Sequence, residues 1–328
     1  MATPTMEVDA RGRTIHRAAV IGAGGFIGAR LSMALADEHV DTACFTRTAR
    51  ALDDADELSY ALTRAPVVYY LASSINPALG ERYPERAEAD RHAFARLLAR
   101  LARRDEPPAV VLTSSGGTVY DQRVAPPYTE DSPVRAAGHY GAAKLALEEE
   151  LHAYAGRIPG VILRLSNAYG PGQLAGKGQG VLGYWMRAAL DGQPLVVMGD
   201  PASSRDYVYI DDVVDSMRRV GDLLRAGPVV SGEPLVLNIG SGVRTSLAEL
   251  IDVVLTVLGR DVPVRYTAGR ELDRKHVWLD VSRAYEKVGW RPATPLTEGV
   301  IAMWRWTRER GSAPTSLSVT TDGAQQWH

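Results

Sequence analysis

Tyr140 and Lys144 are separated by three small residues. This spacing places the phenol and the ammonium one turn apart on the same face of a helix. A nearby cation favours the phenolate, so the pair predicts a tyrosine pKa lowered from about 10, as an acid/base at a carbinol or ketone oxygen requires. The chain contains 14 tyrosines and only four lysines, so chance accounts poorly for the pairing. The alternative is an exposed helical pair without catalytic function.

A glycine-rich turn follows the apolar run at residues 18–21, and apolar residues recur at helical spacing after it. Glycines permit a tight turn and let backbone N–H groups reach a pyrophosphate, while the start of a helix adds positive potential. We therefore predict a dinucleotide-binding turn formed by Gly22, Gly25, Phe26, Ile27 and Gly28. The alternative is a plain strand-to-helix turn.

The end of the next apolar run indicates which dinucleotide is bound. An acidic residue at this place holds the adenosine ribose diol in the usual dinucleotide fold. This sequence has Thr46 and Arg47 instead. A guanidinium attracts the 2′-phosphate of NADP, and a threonine hydroxyl adds a hydrogen bond, so we favour NADP(H) over NAD. The alternative is that Arg47 is a solvated loop charge.

These residues need a scaffold, and the pattern of apolar runs predicts one. Continuously apolar strands that alternate with helices are typical of a parallel sheet covered on both faces. We therefore predict an α/β fold with a doubly wound parallel sheet of the Rossmann type. The predicted strands cover residues 18–21, 40–45, 67–72, 109–114 and 161–165, and the predicted helices between them include 87–103 and 140–154.

The second half of the chain is expected to add a smaller C-terminal α/β substrate lobe. We assign residues 17–170 to the dinucleotide-binding domain and 171–310 mainly to the substrate lobe. The helix predicted at 211–224 and the strand at 235–239 lead us to expect that 205–242 partly returns to the first domain. Helices are also predicted at 180–190 and 246–258. Residues 1–16 are expected to be disordered, and 311–328 to form a mobile tail.

Composition excludes several classes of protein. A chain of 328 residues with 45% hydrophobic residues suits a globular body rather than a disordered one. Its 37 basic and 39 acidic side chains create no net positive field, so no nucleic-acid partner is expected. No run is apolar enough to span a membrane or to act as a signal sequence. The single cysteine, Cys44, is expected to be buried, and we predict a cytoplasmic protein without a metal site.

Together, the glycine turn and the Tyr140/Lys144 pair resemble the extended short-chain dehydrogenase/reductase family, in particular its nucleotide-sugar epimerase/dehydratase branch. The resemblance extends over roughly residues 17–308. It implies that Tyr140 is the acid/base and that Lys144 binds the nicotinamide ribose. It also implies further cofactor contacts at Leu71, Ala72 and Ser73, and a homodimer formed through the helix at 140–154.

Motifs in the C-terminal half of the chain extend the resemblance to a nucleotide-diphospho-sugar substrate. The segment 163–171 is similar to the one that enters the sugar site, and 205–212 to the one whose arginine grips the diphosphate. The residues that the resemblance assigns to the substrate are Asn167, Gly180, Val181, Arg205, Arg270 and Asp273. Taken without the resemblance, either arginine could form a surface ion pair, and Asn167 could be a buried turn-former.

The sequence departs from the family at three places. Most members have a serine or threonine where Gly116 stands, and that hydroxyl donates to the reacting oxygen, so Thr118 or Ser115 is expected to replace it. The Asp-Glu pair of the dehydratases is replaced by Gly117 and Thr118, which disfavours dehydration. The stretch from 47 to 67 is also shorter than usual, so a third strand is expected to be missing.

Three functions remain open. The first is an NADPH-dependent ketoreductase of deoxysugar biosynthesis, which reduces the C4 ketone of an NDP-4-keto-6-deoxyhexose and is favoured by Arg47. The second is an NAD-dependent NDP-hexose 4-epimerase, which the full-length resemblance favours. The third is a non-catalytic NADP-binding sensor or partner protein, for which the missing hydroxyl at Gly116 is the only support.

Overall fold

A computed structural model describes residues 16–53, 57–136, 138–174, 180–227, 232–268 and 276–312. The strands are β1 (Arg17–Ile21), β2 (Asp41–Phe45), β3 (Val67–Tyr70), β4 (Ala109–Ser115), β5 (Gly160–Leu165), β6 (Asn167–Tyr169), β7 (Leu195–Met198), β8 (Ser204–Arg205), β9 (Tyr207–Tyr209), β10 (Leu235–Ile239), β11 (Thr245–Ser246) and β12 (Val264–Thr267). The helices are α1 (Phe26–Asp37), α2 (Tyr60–Thr63), α3 (Pro77–Arg82), α4 (Pro84–Leu101), α5 (His139–His152), α6 (Val181–Leu190), α7 (Ile210–Arg225), α8 (Leu247–Leu258), α9 (Ser282–Val288) and α10 (Leu296–Ser312). The strands and helices predicted from the sequence are confirmed, with ends that differ by a few residues.

Six parallel strands form the central sheet, in the order β10-β5-β4-β3-β1-β2. The predicted doubly wound fold is therefore confirmed. Because β2 is an edge strand, the sheet has no third strand beyond it. Between 47 and 66 the described residues contribute α2 and a bridge between Leu52 and Leu58, but no strand of this sheet.

The strands are apolar throughout because helices cover both faces of the sheet. On one face, Val111 and Leu163 pack with apolar residues of α1 and α7. On the other face, Val110 and Leu112 pack with α4 and α5. The two packed faces hold the carboxyl ends of the strands at one edge of the domain, where the predicted site residues lie.

A third core belongs to the C-terminal lobe, in which α6, α8 and α10 pack together. Small two-stranded pairs accompany these helices, namely β7 with β12, β8 with β11 and β6 with β9. The chain then returns to the first domain, where Trp290 is fully buried and its indole N–H donates to the carbonyl oxygen of Asp212 at 2.9 Å.

The predicted terminal tails lie largely outside the described residues. At the C-terminal side, α10 continues to Ser312 and so enters the segment 311–328 that was predicted to be mobile. In the part of the chain that is described, no helix combines the length and the apolar character that a bilayer crossing requires.

Candidate active site

The glycine turn lies where the strand order of the sheet reverses. β1 has β2 on one side and β3 on the other, and ligands of doubly wound sheets bind at such switch points. Gly22 has a φ of 97°, and a Cβ there would lie 2.8 Å from the backbone nitrogen of Ala72. A Cβ at Gly28 would collide with the carbonyl oxygen of Gly22. Both positions require glycine because backbone packs directly against backbone.

The start of α1 fits the pyrophosphate of a dinucleotide. Its N-cap is Gly25, no side chain caps it, and the first turn, which begins with Phe26 and Ile27, contains no acidic residue. The first N–H groups of a helix have no partners inside the helix, and the helix dipole makes this end positive. The N–H of Leu71 donates to the carbonyl oxygen of Ile21 at 2.8 Å, so the end of β3 lies beside the turn.

The end of β2 contacts the glycine turn directly. The N–H groups of Gly22 and Ala23 both donate to the carbonyl oxygen of Phe45, at 2.9 and 3.0 Å. The next residue, Thr46, accepts the N–H of Ala49 on its hydroxyl at 3.2 Å, which closes a tight turn and leaves Arg47 exposed. The structure therefore brings the residues predicted to select the cofactor next to those predicted to hold its pyrophosphate.

Cys44, on the same strand, was predicted to be buried, and this was wrong. The residue is exposed, with its thiol 3.4 Å from the hydroxyl of Ser32 on α1. The apolar run around it predicted an interior strand, but β2 is the edge strand of the sheet.

Tyr140 lies in the first turn of α5, which follows a Gly138 N-cap with a φ of 84°. The carboxylate of Glu81 accepts the N–H of His139 at 2.8 Å and so caps the helix from α3. Tyr140 is half-buried, and the Lys144 ammonium lies 5.7 Å from the centroid of its ring. The phenol and the ammonium are therefore neighbours on one helix face, as the spacing predicted.

The predicted lowering of the Tyr140 pKa is wrong for the free protein. Burial raises the pKa of Tyr140 to about 12. Burial also lowers the pKa of the Lys144 ammonium, to about 8, although Asp90 and Glu148 act in the opposite direction. At neutral pH Tyr140 is therefore protonated, and Lys144 is mostly charged.

A buried ion pair that the sequence analysis missed lies one helical turn beyond Lys144. Glu148 pairs with Arg164 of β5 at 2.7 Å, with 4% and 7% of the two side chains exposed, and it also accepts the hydroxyl of Ser114. The Arg164 guanidinium lies 5.0 Å from the ring centroid of Tyr120. The signal in the sequence was a carboxylate four residues after Lys144, on the same helix face. The pair ties α5 to β4 and β5.

Leu279 explains why position 116 is a glycine. A Cβ at Gly116 would lie 2.6 Å from a methyl carbon of Leu279, so the space for a side chain is already filled. Of the two residues proposed to supply the replacement hydroxyl, Ser115 and Thr118 are both partly exposed, and the hydroxyl oxygen of Thr118 itself is buried. Ser115 is the last residue of β4 and so lies at the carboxyl end of the sheet.

A cavity of about 620 Å³ in the C-terminal lobe gathers the predicted substrate residues Asn167, Gly180, Val181 and Arg205 in its lining. The amide nitrogen of Asn167 donates to the carbonyl oxygen of Asp206 at 2.9 Å, and the Arg205 guanidinium donates to the carbonyl oxygen of Ser204 at 2.9 Å. Asn167 is exposed rather than buried. Arg270 and Asp273 lie outside the described residues.

The sequence analysis did not identify the apolar lining of this cavity. The lining includes Tyr184, Trp185, Val196, Met198 and Tyr207. Three of these side chains, Tyr184, Val196 and Met198, are large hydrophobic groups that remain exposed. The sequence offered only the apolar faces of a short helix and strand, which are normally assigned to the core. An apolar cavity with a few polar groups is typical of a small-molecule site.

A glycine turn at the switch point of a parallel sheet, followed by a Tyr/Lys helix that packs on the same sheet, defines a Rossmann-type protein of the short-chain dehydrogenase/reductase class. The family model "NAD dependent epimerase/dehydratase family" matches residues 18–240. The chain belongs to this family, which confirms the resemblance seen in the sequence.

Relatives include both epimerases and reductases. The chain is 32% identical over 307 residues to a UDP-glucose 4-epimerase of Mycolicibacterium smegmatis, with 87% of this chain and 96% of the relative covered. It is 30% identical over 193 residues to a dTDP-4-dehydro-6-deoxyglucose reductase of Escherichia coli, with 58% of each chain covered. Among solved structures, MoeE5 in complex with UDP-glucose and NAD has a TM-score of 0.79 at 27% identity, with 90% of this chain and 100% of that chain covered.

Proposed function

We propose that the protein is a nucleotide-sugar ketoreductase, which uses NADPH to reduce the C4 ketone of an NDP-4-keto-6-deoxyhexose. The observation that carries this proposal is Arg47, which is exposed at the end of β2, next to the glycine turn, where the usual dinucleotide fold has an acidic residue. A guanidinium at this place suits the 2′-phosphate of NADPH, the hydride donor of a reduction. Tyr140, whose pKa burial raises, is the proton donor that a reduction needs at the ketone oxygen. The E. coli relative is itself named as a reductase of this kind.

The chemistry divides between the cofactor and the side chains. The dinucleotide, when bound at the glycine turn, would supply the hydride for the C4 carbon. Tyr140 donates its proton to the ketone oxygen, so the carbonyl becomes a carbinol, and the phenolate then regains a proton from solvent. Lys144 holds positive charge beside the phenolate while the proton is absent. Ser115 or Thr118 donates a hydrogen bond to the same oxygen and stabilises its developing charge.

The glycine turn and the end of β2 would hold NADPH. The N–H groups of Phe26, Ile27 and Gly28 would bind the pyrophosphate, and Leu71, Ala72 and Ser73 would contact the nicotinamide half. The N–H of Gly25 itself donates to the carbonyl oxygen of Gly22 at 3.0 Å and so closes the turn. Arg47 provides the charge for the 2′-phosphate, with Thr46 as a second ligand. Because Arg47 is exposed and lies next to the turn, it is available to an anionic ligand.

The cavity in the C-terminal lobe would hold the nucleotide sugar. Its apolar lining suits a nucleobase, and Gly180 and Val181 are proposed to lie beneath the base. We assign the diphosphate to Arg205, with Arg270 and Asp273 as further ligands, and a hydroxyl of the substrate to Asn167.

The helix α5 is also proposed to form the interface of a homodimer, which light scattering of the purified protein would test.

The second candidate is an NAD-dependent 4-epimerase. It is favoured by the M. smegmatis relative, which aligns with the chain over 96% of its own length and is named as a UDP-glucose 4-epimerase. Bound NAD would supply a reversible hydride acceptor for C4, so the reaction would involve no net oxidation or reduction.

One experiment separates the candidates. The protein is purified, its bound cofactor is released and identified, and NADPH consumption is followed with a dTDP-4-keto-6-deoxyhexose, while UDP-glucose and UDP-galactose are tested for interconversion. We expect steady NADPH oxidation and one carbinol epimer. Retained NAD, with sugar interconversion and no NADPH consumption, would overturn the reductase in favour of the epimerase. NADP binding without turnover on either sugar would favour a non-catalytic sensor.

A further inference from the structure

Asp90, in the middle of α4, reaches across to the end of β3. Its Oδ2 atom accepts the N–H of Ser74 at 2.7 Å and the hydroxyl of Ser73 at 3.3 Å. Ser73 is one of the residues proposed to lie along the cofactor, so a carboxylate that is partly buried fixes the strand end beside which the nicotinamide is expected. Neither the motifs of the sequence nor the proposed chemistry assigns a role to this group.

A short hydrogen-bonded path connects the same strand end to Lys144. The hydroxyl of Thr113 on β4 donates to the carbonyl oxygen of Tyr70, the last residue of β3, at 3.3 Å. The carbonyl oxygen of Thr113 in turn accepts the Lys144 ammonium at 3.3 Å. Asp90 and Lys144 therefore act on the adjacent carboxyl ends of β3 and β4, and Lys144 is only 5% exposed.

The groups around Lys144 leave Asp90 as the carboxylate with the larger effect on it. From α5, the ring of Tyr140 lies near the ammonium, and the charge of Glu148 raises the Lys144 pKa although Glu148 is paired with Arg164 of β5. From α4, the charge of Asp90, whose carboxylate lies on Ser73 and Ser74, raises the Lys144 pKa, whereas the nearby Arg91 is paired with Glu88 and Glu150. Tyr70 on β3 is protonated, because burial raises its pKa. Of the two carboxylates that raise the Lys144 pKa, Asp90 acts more strongly than Glu148.

We propose that Asp90 is a positioning residue of the Tyr140/Lys144 site: it fixes the strand end at Ser73 and Ser74 and keeps the Lys144 ammonium charged. This inference deepens the proposed function and rests on it for the catalytic consequence. Without Asp90, only the charge of Glu148 opposes the lowering of the Lys144 pKa by burial. Lys144 then loses its proton at a lower pH. A neutral Lys144 cannot stabilise the phenolate that Tyr140 becomes when it gives up its proton.

Asp90→Asn tests the charge without changing the shape, because the amide oxygen can still accept from Ser73 and Ser74. The four lysines of the full-length protein are labelled with ¹³C and titrated by NMR, and the Lys144 signal is assigned by its loss in Lys144→Met. We expect the Lys144 midpoint to fall by about half a pH unit or more in Asp90→Asn, since an opposite charge nearby shifts a pKa by about one unit or more. Glu85→Gln, which removes an exposed carboxylate from the same helix, is the matched control and should leave the midpoint unchanged.

The same variants are then assayed for turnover as a function of pH. In Asp90→Asn the alkaline fall in kcat should move to lower pH by the same amount as the Lys144 midpoint, whereas Asp90→Glu, which keeps the charge, should retain the wild-type midpoint. Asp90→Ser serves as a second neutral variant if the asparagine variant fails to fold. An unchanged Lys144 midpoint in the folded neutral variants overturns the proposal. If the wild type turns over no nucleotide sugar and the midpoint still falls, the proposed function fails while the action of Asp90 on Lys144 stands.

Discussion

Tyr140 is the residue at which the proposed chemistry is most directly tested. Replacing Tyr140 with phenylalanine removes the proton donor and preserves the ring that packs in the first turn of α5. We expect kcat to fall at least about 100-fold, the lower range for loss of a general acid. The dissociation constant for NADPH, measured by fluorescence titration, should change little. Tyr60→Phe, at an exposed tyrosine, is the control, and full activity of Tyr140→Phe would remove Tyr140 from the mechanism.

Ser115 and Thr118 compete for the role of the hydroxyl that Gly116 lacks. Because the Thr118 hydroxyl is buried and Ser115 is partly exposed, we expect Ser115→Ala to lower kcat about 100-fold, as the loss of one donor to a developing oxyanion does. Thr118→Val keeps the shape of the side chain and should lower kcat much less. Steady-state kinetics with folded variants decide between them, and the reverse order of effects would assign the role to Thr118.

At the scale of elements, the end of β2 determines which dinucleotide binds. Arg47→Glu places a carboxylate where the 2′-phosphate of NADP is proposed to lie. We expect the KM for NADPH to rise about tenfold or more, because a hydrogen bond to a charged group contributes about 1.5–3 kcal/mol. The KM for NADH should fall or stay unchanged, since a carboxylate suits the ribose diol.

The matched control for this variant is Arg103→Glu, which makes the same change in charge at an exposed position in the turn after α4. If the two variants raise the KM for NADPH equally, Arg47 contributes only to the overall charge of the surface and does not bind the 2′-phosphate. An unchanged KM for NADPH in Arg47→Glu would contradict the assignment of the 2′-phosphate to this side chain.

The elements show which parts of the molecule could be predicted from the sequence. The strands of the sheet were recognised because each is a short apolar run, and the glycine turn because backbone must approach backbone at Gly22 and Gly28. Periodicity does not report the position of a strand in its sheet, so Cys44 was assigned to the interior although β2 is the edge strand.

Electrostatics were harder to predict than positions. The spacing of Tyr140 and Lys144 gave their proximity correctly, but the pKa of each group depends on burial, which comes from α3, α4, β4 and β5 packing around the helix. Burial raises the pKa of Tyr140 and lowers that of Lys144, and a local sequence pattern contains neither effect. Glu148 and Arg164 escaped notice because their ion pair joins a helix to the strand that follows it, and neither local pattern reports that contact.

At the scale of the whole molecule, the C-terminal lobe is not simply appended to the dinucleotide-binding domain. Residues that follow it in the chain return to the first domain and complete its core. Leu279 fills the space beside Gly116, and Trp290 packs in the core that also contains α1 and α7. The two lobes are therefore expected to unfold together, because separating them would expose side chains that belong to the sheet.

Trp290 gives the sharpest test of this cooperativity. The side chain is fully buried, its N–H donates to the carbonyl oxygen of Asp212, and the carboxylate of Asp212 accepts the N–H of Thr294 at 3.0 Å. Trp290→Ala should lower the free energy of unfolding by about 3–5 kcal/mol, the usual cost of removing a large aromatic side chain from a core. Trp290→Phe, which loses the hydrogen bond but keeps most of the packing, should cost less.

Urea unfolding followed by far-UV circular dichroism measures both variants, and hydrogen exchange reports where protection is lost. If the lobes form one cooperative unit, Trp290→Ala weakens protection in β10 and α7 of the first domain and in α8 of the C-terminal lobe by similar amounts, because global unfolding then limits exchange in all three. Loss of protection confined to α9 and its neighbours, with α8 unchanged, would show that the lobes unfold separately. The first outcome would also mean that a substrate bound in the C-terminal cavity stabilises the glycine turn, since binding to the folded state stabilises every part that unfolds with it.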